Sequence, residues 1–235
     1  MSRFSPVVLI AGAASALGEA CAQAIATEAA GGLLLADSEE ISLAAVADAL
    51  ARPPERVSTL VFDIADPARW GEAASFMQAQ YGRLDWVIVC LTPDQKGAAR
   101  PGSVLEMVRA VAPLMADNSM GGALTLLLSA RAVKIDALLR LVRVAAKEGE
   151  SGRVRVNALL DGAIDSPLWR RDPVFEALTA SAGGETAALV KLERMSPPLA
   201  RCAEKQDLAR LARLLLGDEA NVSGVTLVAE PGAAL

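Results

Sequence analysis

Histidine is absent from the 235 residues of this chain. Its absence excludes imidazole acid–base catalysis, serine–histidine triads and His-ligated metal sites. Aromatic residues make up only 3% of the sequence, with a single tyrosine, Tyr81. The three cysteines, Cys21, Cys90 and Cys202, are widely spaced and odd in number. None has zinc-ligand spacing, so no metal site is expected, and reduced, buried thiols in a cytoplasmic protein are the expectation. Basic excess is also missing: 23 Lys and Arg stand against 28 Asp and Glu, a net charge of -5. That balance does not suit nucleic acid. No apolar run approaches the length of a membrane span. Met1 to Pro6 leads directly into an apolar run with no cleavage-site pattern, so no signal peptide is expected.

What the chain has is apolar matter in short runs: 53% of its residues are hydrophobic. The stretch from Pro6 to Asp37 sets the pattern. Val7-Val8-Leu9-Ile10-Ala11 reads as a buried parallel strand, which shows as a continuous apolar run rather than an alternation. Gly12 to Gly18 follows as a small-residue turn, then a helix from Glu19 to Ala30 with Leu17, Cys21, Ala24 and Ile25 at helical spacing. Leu33-Leu34-Leu35-Ala36 forms a second apolar run, closed by Asp37. A strand, a glycine turn and a helix N-terminus together make an anion site. An acid closing the next strand stands where a ribose hydroxyl is held in dinucleotide folds. The bland alternative is that Gly12 and Gly18 serve tight turning and close helix–sheet packing.

Alternation continues along the chain. Helices are expected over Glu39 to Leu50, Pro67 to about Gln80, Val104 to Met115, Ala132 to Lys147 and Asp207 to Leu216. Strands are expected over Val57 to Phe62, Leu84 to Leu91, Ala123 to Leu128, Arg153 to Leu160 and Val225 to Val228. Ser166 to Pro198 has weaker periodicity and reads as a helical excursion from the sheet. The whole, residues 1–235, is expected to be a single α/β domain of Rossmann type: a doubly wound parallel sheet with helices on both faces.

The order of segments resembles the short-chain dehydrogenase/reductase family over nearly the whole chain. The family's Thr-Gly-x-x-x-Gly-x-Gly turn corresponds to Ala11 to Gly18, its acid after strand two to Asp37, and its adenine-contacting Asp plus apolar residue to Asp63-Ile64. Tyr81 to Asp85 corresponds to its aromatic-Gly-x-x-Asp lead, Ser129 to its strand-five serine, and Val156-Asn157 to the pair before its cofactor-contacting loop. Its tail motif corresponds to Leu215 to Leu227. The resemblance implies hydride transfer between NAD or NADP and an alcohol or ketone. It assigns Gly12, Ser15, Leu17, Gly18, Asp37, Asp63, Ile64 and Ser166 to the cofactor, Ser129 to catalysis, and NAD over NADP through the carboxylate of Asp37.

The family's proton donor is the tyrosine of a Tyr-x-x-x-Lys motif on the helix after the serine strand. Counting back from Val156-Asn157 places Arg131 and Ile135 there. An arginine does not deprotonate and an isoleucine carries no charge, so neither replaces its counterpart. Lys134 lies three residues from Arg131 instead of four. The strand-four ending Asn-Asn-Ala-Gly has become Val89-Cys90-Leu91-Thr92, the middle turn glycine is Ala16, and Asp161-Gly162 and Asp165 replace Pro-Gly and its surroundings. Two extra carboxylates disfavour a diphosphate. The expected function is a catalytically impaired or inactive family member acting as a non-catalytic subunit, with weak or absent NAD binding. It is expected as a homo-oligomer (dimer or tetramer) or with an active sibling. Leu138, Leu139, Val142 and Ala146 are the expected helix seam for that contact, and Leu208 to Leu216 with Val225 to Val228 a second surface. Two alternatives stay open: an active NAD-dependent oxidoreductase with a rewired relay through Lys134, Ser129 or a carboxylate, and an NAD-binding sensor without chemistry.

Overall fold

The computed structural model describes residues 5–27, 31–50, 56–91, 101–116, 118, 121–129, 135–161, 173–194 and 204–229. Seven parallel strands form one sheet: β1 (Val7–Ala11), β2 (Gly32–Asp37), β3 (Val57–Val61), β4 (Trp86–Leu91), β5 (Gly122–Ser129), β6 (Val154–Asp161) and β7 (Thr226–Ala229). Their order is β3-β2-β1-β4-β5-β6-β7. From β1 the chain winds outward through β2 to β3, then crosses back so that β4 joins the other edge of β1. The strand order therefore reverses between β1 and β4, and a crevice opens at their C-terminal ends.

Helices cover both faces. α3 (Pro67–Tyr81), α4 (Pro101–Ala116) and α5 (Ile135–Gly149) share one core layer, which holds Leu9, Trp70, Met77, Val108, Leu126 and Val142. α1 (Ala16–Thr27), α2 (Glu40–Ala49) and α8 (Lys205–Leu216) share the other, with Ile10, Cys21, Ile25, Leu43, Cys90 and Leu208. The central strands are fully buried, which is why they read as unbroken apolar runs.

Local chemistry sets the boundaries. Asp66 caps α3 by accepting from the Ala68 N–H at 3.0 Å, Pro67 opens the helix, and Gly82 ends it in the left-handed region. Glu204 and Asp207 form a reciprocal capping box at the start of α8. α1 begins at Ala16, three residues before the expected Glu19, because Ser15 caps it. The expected excursion contains two helices, α6 (Pro173–Ala182) and α7 (Glu185–Arg194), packed around Phe175 and Ala188.

One expectation is corrected here. Of the expected α5 seam, Val142 faces this chain's own core, buried in the layer beneath α4, with the half-buried Ala146 packed against that layer; Leu139 is half-buried, and the Leu138 side chain lies outside the described residues. The outer face of α5 carries Arg140, Arg143, Val144 and Lys147. Helical spacing identifies an apolar stripe but not what covers it.

Candidate functional site

The crevice between β1 and β4 gathers most of the expected cofactor residues. Gly12 has φ 76°, in the left-handed region, and a Cβ there would overlap the Cys90 carbonyl oxygen. A Cβ on Gly18 would overlap the Gly12 carbonyl oxygen. Both glycines are thus required by close backbone approach within the protein. Ser15 is the N-cap of α1: its Oγ accepts from the Gly18 N–H at 3.0 Å and its hydroxyl donates to the Gly12 carbonyl at 2.7 Å.

The remaining N–H groups of the turn divide into two sets. Gly12 and Ala13 donate to the Ala36 carbonyl, and Ser15 donates to the Gly12 carbonyl. Ala14 donates to Asp37 Oδ2 at 2.9 Å. Among the described residues, no acceptor satisfies the N–H groups of Ala16 and Leu17, the first two of α1. They point with the positive end of the helix dipole and suit a diphosphate oxygen. Glu19 in the same turn is held by Lys205 at the start of α8, 3.3 Å away.

Asp37 lies where the sequence places it, at the end of β2, but faces inward. It is 3% exposed. Its second carboxylate oxygen accepts from the Glu39 N–H at 3.3 Å, so each oxygen already holds a backbone donor. The residues present therefore fit the diphosphate of a dinucleotide, while Asp37 already shares its two oxygens with this chain's own backbone. Asp63 closes β3, exposed, and accepts from the Ala65 N–H in a local turn. Ile64 is buried, and its carbonyl accepts from the Trp70 indole N–H at 2.9 Å.

At the other half of the same edge, Ser129 ends β5 and pairs in register with Asp161 at the end of β6. Arg131, Lys134, Asp165 and Ser166 lie outside the described residues. Tyr81 lies at the opposite end of the sheet. Its ring covers Gly32 at the start of β2, and its hydroxyl pairs with Ser58 Oγ, near the start of β3, at 2.9 Å. Parallel strands put Tyr81 at the N-terminal edge and Ser129 at the C-terminal edge, so the one tyrosine does not serve the serine. Cys90 is fully buried beneath Gly12, and a hydrogen bond its protonated thiol makes to Cys21, together with burial, holds its pKa well above the usual thiol range. A thiol kept protonated in this way is a core residue, not a nucleophile.

Residues 6–99 match the family model described as short chain dehydrogenase. Oxidoreductase UcpA of Escherichia coli strain K12 is 26% identical over 97% of this chain and 94% of its own length. Residues 6–99 thus resemble that family's model, and the relative's resemblance extends over nearly the whole chain. Its fold matches a short-chain type dehydrogenase/reductase from Mycobacterium ulcerans with a TM-score of 0.76, 22% identity, and 99% and 91% of the two chains covered. It likewise matches carveol dehydrogenase from Mycobacterium avium, solved in complex with NAD, at TM-score 0.76, 21% identity and 99% of each chain.

Within this chain, the partners of two positioning groups escaped sequence reasoning. The Arg155 guanidinium donates to the carbonyls of Leu215, Leu216, Gly217 and Ala220, closing the C-terminus of α8 over β6. Burial lowers its pKa, while Asp218 and Glu219 act the other way. Asn157 donates to the Val222 carbonyl at 2.9 Å and accepts from the Val225 N–H at 3.1 Å, pinning the approach to β7. The Val156-Asn157 motif marked the place; its partners lie more than 60 residues away, as the separations of 65 and 68 show.

Proposed function

We propose that this chain is a non-catalytic member of the short-chain dehydrogenase/reductase family that works as an assembly subunit. Its homologues are oxidoreductases. One observation carries the reading: the chain's single tyrosine is committed to Ser58 at the N-terminal edge of the sheet, while the position that should donate a proton beside Ser129 is Arg131. A positioned general acid is worth about 10²–10⁴-fold in rate, and here neither the donor nor its lysine is in the sequence positions that would supply it. Ser129 is the family's catalytic position retained without its partner. The single domain spans residues 1–235, and the proposed location is cytoplasmic.

NAD is the proposed ligand of whatever binding remains. Ser166 and Asp63 would complete the cofactor bed, with Gly12, Leu17 and Gly18 shaping its diphosphate end. The inward Asp37 supports weak binding. The free N–H groups of Ala16 and Leu17 favour a second reading, an NAD-binding sensor without chemistry. Titration calorimetry with NADH on concentrated protein tests these readings. No saturable heat is expected. Saturable heat without turnover would favour the sensor. Saturable heat with turnover of a secondary alcohol, abolished by Ser129→Ala, would favour an active enzyme with a rewired relay.

A further inference from the structure

We draw no further inference here: the strongest candidate, the pair of buried thiols Cys21 on α1 and Cys90 on β4 beneath the glycine turn, belongs to the core of the site already described, and both thiols are closed to solvent.

Discussion

The C-terminal edge of the sheet has two halves that hold their residues for different reasons. In the half formed by β1, β2 and β4, Gly12, Ser15, Gly18 and Asp37 each also serve this chain's own backbone. Gly12 clears the Cys90 carbonyl, Gly18 clears Gly12, Ser15 caps α1, and Asp37 receives two N–H donors. In the half formed by β5 and β6, Ser129 and Asp161 end their strands side by side, and counting back from Val156-Asn157 sets Arg131 and Ile135 where the family's tyrosine and lysine belong. On the proposed non-catalytic reading, residues with a duty in the fold are kept and those with a duty only in the reaction are lost. The nucleotide turn by itself is therefore a sign of fold and not of activity.

The sharpest way to break this comparison is Gly12→Ala. A methyl at φ 76° would press on a backbone carbonyl that has no room to move. A loss of about 3 kcal/mol in urea unfolding is expected, with no cofactor present. A negligible loss would mean that the turn is kept for a ligand. Arg155→Met comes next. It leaves four carbonyls at and just beyond the end of α8 without their donor, and about 2 kcal/mol should be lost by the same measurement. Tyr81→Phe removes the bond to Ser58 and a long one to the Leu33 carbonyl and should cost about 1 kcal/mol. Its heat of titration with NADH should equal that of the wild type, since Tyr81 is at the far edge of the sheet.

The smallest effect concerns the exposed α4–α5 link. Hydrogen bonding and charge from Arg109 lower the Glu148 pKa below the ordinary carboxylate value. Such a group contributes stability above the unfolded-state pKa and loses it as pH falls through the folded one. The thermal midpoints of wild type and Glu148→Gln should differ slightly at neutral pH and converge under acid. The pair lies at the surface, about half-exposed, so added salt should shrink the difference.

Most of the architecture was legible because buried parallel strands write themselves as apolar runs, and because Asp66-Pro67 and Gly82 bracket α3 with side-chain and backbone signals. The site was legible in position but not in partnership. Asp37 reads as the closing acid of β2, yet its bond to Ala14 joins residues 23 apart. Nothing in the local pattern distinguishes an acid facing a ribose from one facing its own turn. Arg155 reads as an ordinary charge inside a strand, because the carbonyls that explain it lie at the end of α8. The α5 stripe was visible as spacing, and only the packed layer showed that Val142 faces inward.

The account's central claim is that no group supplies a proton beside Ser129. Following the nicotinamide absorbance of NADH, with concentrated protein and a panel of ketones and aldehydes, tests it most directly. The account predicts decay indistinguishable from buffer for every substrate. Steady oxidation that Ser129→Ala abolishes would contradict it.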